Sequence, residues 1–403
     1  MSSTATSRDP VVIVAAKRTP MGGFQGELSG ASASQLGSAA IAAAMQQAGL
    51  SGEDVEQGVM GCVLPAGQGQ APARQALLGA GLPQGVGAAT VNKMCGSGMK
   101  AVMDAHDMIA AGSADIMVAG GMESMTNAPY LLPKARGGFR MGHGEVKDSM
   151  FLDGLEDAYE PGRLMGTFAE DCAQHYQFTR EAQDAYAIRS LERAQAAIET
   201  GRFKDEVASV TVSGRGGDTV VDTDEQPGKA RMDKIPQLKP AFRKDGTVTA
   251  ANASSISDGA AALILMRESE AERRGLSPIA RILGHATHAQ APAWFTTAPI
   301  EASRKVLERT GWTAEEVDLW EVNEAFAVVA MAAIRDLGLD EDRVNVNGGA
   351  CALGHPIGAS GARILVTLLH ALKERGARKG LATLCIGGGE ATAMTVEMMN
   401  SAS

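Results

Sequence analysis

Three residues of this chain stand where side chains can do covalent chemistry on a substrate: Cys95, His355 and Cys385. Cys95 lies in Val91-Asn92-Lys93-Met94-Cys95-Gly96-Ser97-Gly98-Met99-Lys100, which reads as a short strand, a glycine-flanked turn and a helix from about Gly98 to Ala111. A helix N-terminus presents unsatisfied backbone N–H groups and a partial positive charge. A thiol placed there is expected to ionise more easily and to become a better nucleophile. The flanking glycines leave room for a substrate to reach the sulfur. His355 sits in the glycine-dense run from Asn347 to Gly361, directly before another helix. Cys385 ends an apolar strand at Leu384-Cys385-Ile386-Gly387-Gly388-Gly389, and Glu321-Val322-Asn323-Glu324-Ala325-Phe326 marks a strand-to-helix transition.

Each feature also has an ordinary reading. A cysteine is most often a small buried hydrophobe, and that is the reading for Cys62, Cys172 and Cys351. A lone loop histidine is often satisfied by its own neighbours. The joint pattern of thiol, imidazole and second thiol, each in a glycine bend at a strand end, is harder to assign to packing. A nucleophile with a nearby base is the arrangement that covalent catalysis requires. Gly96-Ser97-Gly98-Met99-Lys100-Ala101 also fits the dinucleotide fingerprint, with Asp115 downstream. That match is weak in a chain with 48 glycines in 403 residues, and a cysteine at the turn entrance has no part in holding a nucleotide.

The elements that must position these residues repeat. Ala48-Gly49-Leu50-Ser51-Gly52-Glu53-Asp54-Val55 ends a helix that starts near Ser34, and Thr310-Gly311-Trp312-Thr313-Ala314-Glu315-Glu316-Val317 ends one that starts near Ala302. In each, glycine fits the position after the helix and Ser51 or Thr313 can cap the next turn. Apolar strands are expected at Gly58–Val63 and Leu319–Val322. A helix at about Met99–Ala111 leads to a strand at Asp115–Ala119, as a helix at about Gly361–Arg375 leads to Leu381–Cys385. Strands alternating with helices predict parallel sheets covered by helices, and the repeated order predicts two similar α/β halves. Residues from about Met125 to Ala253 fit neither half. They read as an insertion packed over the first half, with one convincing helix from Thr179 to Gly201. The chain would return to the core near Ser257–Met266. Ligands of such sheets bind beyond the carboxyl ends of the strands.

Composition bounds the rest. A chain of 403 residues is expected to divide into two or three domains. Hydrophobic residues at 45% and charged residues at 21% fit a folded globular protein. Nothing approaches the length of a membrane span, and Met1–Arg8 reads as a disordered lead-in without the apolar core of a signal peptide. Five cysteines without a C-x-x-C pair predict free thiols in a reducing, cytoplasmic setting and no metal site. The net charge of −10 argues against nucleic acid as a partner.

At these residues the sequence resembles the thiolase family, the acetyl-CoA acetyltransferases and 3-ketoacyl-CoA thiolases. The resemblance runs from Val14-Ala15-Ala16-Lys17-Arg18-Thr19-Pro20 through the Cys95 turn, Asn323-Glu324-Ala325-Phe326 and Gly354-His355-Pro356 to Cys385-Ile386-Gly387-Gly388-Gly389. It implies an α/β fold of duplicated βαβαβαββ halves in a five-layered α/β/α/β/α arrangement. Residues 1–124 and 254–279 would form the N-terminal half, 125–253 an inserted loop domain, and 280–403 the C-terminal half. Cys95 would be acylated, His355 would take its proton, and Cys385 would serve as acid and base at the substrate α-carbon. His355 with a water on Asn323 would form one oxyanion site, and the backbone N–H groups of Cys95 and Gly387 the other. Acyl-CoA and CoA would be substrates, with no further cofactor. Ser254, Met165, Leu155, Leu164, Phe295, Ala325 and Phe326 would contact them, and Lys229 or Arg231 would meet the CoA phosphates. The loop around Gly137–Gly144 resembles the tetramerising loop of the family, which implies a homotetramer or a dimer.

Three positions depart from the family pattern: Leu164 replaces a usual histidine, Phe295 a frequent methionine, and the residue after Glu390 is not glycine. These leave the reaction class intact and bear on chain length. Leu164 mildly favours a broader-chain β-oxidation thiolase over a short-chain enzyme. A decarboxylating ketosynthase is a further reading, but that class does not pair its nucleophile with a second cysteine. A non-catalytic acyl-CoA carrier would be expected to lack one of the reacting residues.

Overall fold

Val11–Arg18 forms the first strand (β1), a run buried throughout except at Lys17. The computed structural model describes residues 9–214 and 216–399, so the lead-in at Met1–Arg8 lies outside the described residues. The first half continues with α1 (Ala33–Ala48), β2 (Gln57–Gly61), α2 (Pro72–Gly79), β3 (Gly87–Val91), α3 (Ser97–Ala111) and β4 (Ile116–Ser124). The insertion carries α4 (Met165–Tyr176) and α5 (Arg180–Glu199), after which β5 (Ser257–Arg267) rejoins the sheet. The second half is β6 (Ala280–Ala289), α6 (Ala298–Thr310), β7 (Leu319–Val322), α7 (Ala327–Leu337), α8 (Ser360–Arg375), β8 (Lys379–Ile386) and β9 (Glu390–Met398).

The strands run in the order β7-β8-β9-β6-β1-β5-β4-β2-β3, with Gly22–Gly23 pairing beside β5 as a tenth strand. The halves therefore mirror one another across the β1–β6 contact, an antiparallel ladder of two pairs, Val12↔Arg281 and Ile13↔Ala280. The duplication is visible in the caps as well. Gly49 and Gly311 end α1 and α6 at φ +65° and +69°, a left-handed conformation that glycine adopts without a Cβ penalty. The first half's β3 has a reduced counterpart: among the described residues that edge is met by a single bridge, Trp320↔Val344.

The sheet is mixed rather than parallel. Parallel pairing is confined to β4-β2-β3 and to β7-β8. The inner strands β4-β5-β1 and β8-β9-β6 are antiparallel. For β8 and β9 the reason is local, because the three glycines Gly387–Gly389 return the chain in a tight turn and force the next strand to run back.

Helices form the remaining layers. α1 covers β1, β4 and β5 from one side, and α6 covers β6, β8 and β9 from the other. Between them lie α3 and α8, buried along most of their length. α8 packs on β5 and β4 of the first half as well as on β7 and β8 of the second. The two central helices touch at their first turns. A Cβ on Gly98 would stand 2.7 Å from the backbone nitrogen of Ala362, and one on Gly361 would strike the backbone nitrogen of Met99. Only a pair of glycines admits this crossing. It sets the N-terminus of α3, which follows Cys95, against that of α8, which follows His355.

The insertion holds two long helices where the sequence showed one, and it straddles both halves instead of covering the first alone. α4 and α5 rest on α7 of the second half, while Glu206 and Asp224 clasp the fully buried Arg18 of β1, with contacts of 2.5 and 2.7 Å. Among the described residues no helix is long and apolar enough to cross a membrane.

The crossing predicts that Gly98→Ala lowers stability by about 1–3 kcal/mol, the usual range for overpacking. Chemical denaturation measures this directly, and an unchanged midpoint would contradict the close approach.

Candidate active site

The Cys95 turn is built by a bracket of short polar bonds. Met94, directly before the cysteine, adopts φ +47°, which is unusual for a residue with a side chain. Asn92 Oδ1 accepts the Met94 N–H at 2.9 Å, Ser97 Oγ accepts the Lys93 N–H at 2.8 Å, and Ser97 donates to the Met94 carbonyl at 2.6 Å. Lys93 Nζ reaches Glu390 at 2.6 Å, so the Cys95 turn of the first half is tied to the glycine turn of the second. The departure from the family pattern falls on the next residue, Ala391, and leaves this cross-half contact in place.

The expectation of an easily ionised Cys95 meets an opposing effect. Burial pushes its thiol up to about 11, and the backbone N–H groups of Gly387 and Cys95 itself pull the other way without prevailing. Loss of water around the sulfur thus opposes what the helix end favours, and the thiol form is favoured near neutral pH.

His355 lines the same cavity as Cys95, and its hydrogen bonds fix its tautomer. Ser360 Oγ donates to the Pro356 carbonyl at 3.0 Å and lies 2.5 Å from His355 Nδ1. With its proton committed, the Ser360 oxygen accepts from Nδ1–H, which leaves Nε2 as a bare acceptor. Nε2 is buried and has no protein hydrogen-bond partner. Burial, and then the charge of Arg363, holds the imidazole down to about 3, so the ring rests neutral. The loop carrying it is anchored by Glu123 at the end of β4, a residue with no role in the motifs above. Its buried carboxylate accepts N–H groups from Val63 at 3.0 Å, Leu64 at 3.1 Å and Gly358 at 2.8 Å. One side chain of the first half thereby positions the histidine loop of the second.

Cys385 is buried at the end of β8, and burial, followed by the proximity of Cys95, raises its thiol well above the ordinary value. Asn323 is buried beyond the end of β7. Its backbone N–H binds Thr383, while neither Oδ1 nor Nδ2 has a protein partner. Its neighbour Glu324 is fully engaged, accepting from Tyr186 at 2.9 Å, Ser190 at 2.7 Å, Asn345 at 2.8 Å and the Cys351 N–H at 3.0 Å. Glu324 therefore pins α5 of the insertion to the strand end that presents Asn323. Cys62 and Cys172 are buried and Cys351 is partly so.

One apolar cavity of about 390 Å³ collects these parts. Cys95, His355, Cys385 and Gly387 line it, as do Ser254, Met165, Leu155, Leu164, Phe295, Ala325 and Phe326. Asn323 is not on its wall. Ser254 Oγ donates to the Ala325 carbonyl at 2.9 Å, and Phe295 packs edge-on against Phe168 with ring centres 6.1 Å apart. The sequence reading missed Phe151 and Phe242, which also line the cavity. Phe242 is edge-on to Phe326 at 6.0 Å, a long-range contact with no local signal. Lys229 and Arg231 are not at the cavity: Lys229 pairs with Glu225, and Arg231 lies beside Asp233. Both belong to the short helix Glu225–Lys229 and its exit, which packs near α5.

A thiol raised to about 11 predicts that alkylation of Cys95 by iodoacetamide accelerates about tenfold per pH unit through the neutral and mildly alkaline range. Peptide mass mapping against pH reads this out. A rate that levels off by about pH 8 would show a thiolate at rest and contradict the neutral pair.

Two thiols and an imidazole in one apolar cavity, drawn from two duplicated halves, can be set beside known proteins. The chain matches the thiolase N-terminal domain over residues 11–269 and the thiolase C-terminal domain over residues 276–398. It is 53% identical to an acetyl-CoA acetyltransferase of Pseudomonas aeruginosa, over 96% of this chain and 98% of that protein. It is 51% identical to the acetyl-CoA acetyltransferase of Shinella zoogloeoides, over 97% and 99%. The crystal structure of the Bacillus anthracis acetyl-CoA acetyltransferase superposes with a TM-score of 0.95 at 41% identity, covering 98% of this chain and all of that one. Duplicated halves, a glycine crossing that joins them and these matches along nearly the whole length lead to one conclusion: the chain belongs to the thiolase family.

Proposed function

We propose that this chain is an acetyl-CoA C-acetyltransferase, which cleaves short 3-ketoacyl-CoA with CoA and runs the reverse Claisen condensation through an acyl-Cys95 intermediate. The observation that carries this reading is the meeting of Cys95, His355 and Cys385 in one apolar cavity. A nucleophile and base alone would serve many acyl transfers. A second thiol beside them supplies the proton exchange that a carbon–carbon bond requires.

The resting protonation states order the condensation. Cys95 Sγ attacks the acetyl thioester while its proton passes to His355 Nε2, and the departing CoA sulfur takes the proton of Cys385. The enzyme then holds acetyl-Cys95, an imidazolium and a Cys385 thiolate. That thiolate removes a proton from the methyl carbon of the second acetyl-CoA, and the imidazolium faces the enolate oxygen. The enolate carbon attacks the acetyl-Cys95 carbonyl, the Cys95 sulfur leaves, and His355 returns its proton. Cleavage follows the same steps backwards, with the Cys385 thiol protonating the carbon that departs. A weakly acidic carbon is matched by a thiol whose burial makes its conjugate base strong.

Asn323, with two unpartnered polar atoms, is suited to hold a water at the enolate oxygen beside His355. The N–H groups of Cys95 and Gly387, already aimed at the Cys95 sulfur, suit the acyl oxyanion. Loss of one such donor typically costs about 3–4 kcal/mol of transition-state stabilisation. We assign residues 125–253 to the loop domain that covers CoA, between an N-terminal half of 1–124 with 254–279 and a C-terminal half of 280–403. CoA and acyl-CoA are then the substrates, and the steps above call on no further cofactor. A homo-oligomer, tetramer or dimer, is supported by the solvent-facing edge strand β3 and by exposed Tyr130, Leu132 and Met141. Five free thiols favour a reducing, cytoplasmic setting.

A broader-chain thiolase is the second reading, favoured by the apolar wall that Leu164 and Phe242 give the cavity. Thiolysis measured across 3-ketoacyl-CoA chain lengths tests both. The short-chain reading expects kcat/KM to fall about tenfold or more when acetoacetyl-CoA is extended by two carbons. Equal or rising efficiency with longer chains would assign the broader-chain activity, and no thiolysis at any length would contradict both.

A further inference from the structure

Away from the cavity, one cluster has a chemistry that the thiolase reaction does not use. His106 and Asp107 lie on α3 of the first half, and His285 lies on β6 of the second. Asp107 Oδ1 stands 2.9 Å from His106 Nδ1 and 2.9 Å from His285 Nε2. One ligand atom from each of the three residues falls within 4.8 Å of the others. The two imidazoles meet edge-to-face with ring centres 5.1 Å apart. Their side chains are only 20% and 15% exposed, whereas the Asp107 carboxylate is 59% exposed. The rings are thus held by packing, and the carboxylate faces water from which an ion can enter.

We propose that His106, Asp107 and His285 form a binding site for a first-row divalent transition metal, with Zn²⁺ as the preferred ion. Two imidazole nitrogens and one carboxylate oxygen on one side of a point are a ligand set suited to zinc, cobalt, nickel or iron, with further positions open to water. They are a poor set for magnesium or calcium, which take oxygen ligands. The metal replaces the protons that now bridge the three groups, and each neutral imidazole carries its proton on the other ring nitrogen. Two nearby cations are already engaged: Lys100 pairs with Asp104 at 2.5 Å, and Arg309 donates to the His285 carbonyl at 2.6 Å. The argument from cysteine spacing against a metal does not reach this site, since no cysteine takes part. Because α3 and β6 come from different halves, the ion would clamp the two together close to the β1–β6 ladder.

The test is Co²⁺ titration of the full-length protein after dialysis against a chelator, followed by displacement with Zn²⁺. The wild-type chain should bind Co²⁺ with visible ligand-field bands and no intense near-ultraviolet sulfur-to-metal band, which separates this site from Cys95 and Cys385. His106→Ala and His285→Ala should each weaken binding about 100-fold or more, with thiolase activity unchanged. Zn²⁺ should raise the melting temperature of the wild type and not that of either variant. Should His285→Ala fail to fold, Asp107→Asn decides, because it keeps hydrogen-bonding capacity but is a poor metal ligand. Undiminished affinity in the folded variants, or a sulfur band in the wild type, overturns the proposal and leaves a hydrogen-bonded link between the halves.

Discussion

The close crossing of α3 and α8 at Gly98 and Gly361 is the constraint on which the rest of this molecule depends. Each helix begins just after a loop that carries a reacting side chain, so bringing the helix starts into backbone contact brings Cys95 near His355. A Cβ on either glycine would strike the other helix's backbone. Glu123 reinforces the crossing from beneath, since its carboxylate binds N–H groups of the Cys62–Leu64 segment and of Gly358 together. The site is therefore a joint between two halves. Neither half contains it alone.

The joint is apolar, and burial shapes its electrostatics. The N-terminus of α3 favours an anion at Cys95, whereas burial acts against the thiolate and pushes the thiol up to about 11. The same burial holds His355 down to about 3. Burial thus favours neutral resting forms of both groups. The polar atoms around the reacting groups divide in a useful way. Glu324, Ser360 and Glu123 are saturated by protein partners and fix geometry. His355 Nε2 and both side-chain atoms of Asn323 are unsaturated and are available to a ligand or water.

Much of this was legible in the sequence for local reasons. Gly49 and Gly311 announce helix ends because a left-handed residue there favours glycine, and their matching surroundings expose the duplication. Cys95, His355 and Cys385 are conspicuous because each sits in a glycine bend at an element end. The failures are equally physical. The mixed sheet was hidden because strand direction depends on connections, as in the Gly387–Gly389 turn. The neutral state of Cys95 depends on how many atoms from distant segments exclude water. Phe242 reaches the cavity through a contact with Phe326 that no local pattern encodes.

The central claim is that two thiols in one cavity divide the work, Cys95 carrying the acyl group and Cys385 moving the carbon-bound proton. The most direct measurement is intact-protein mass spectrometry of Cys385→Ser exposed to acetyl-CoA, alongside the rate of acetoacetyl-CoA formation. The account predicts that Cys95 of the variant still becomes acetylated, because CoA can leave as a thiolate without the Cys385 proton, while condensation, which needs a base at the methyl carbon, falls by about a hundredfold or more. Equal loss of acetylation and condensation would contradict the separation of roles.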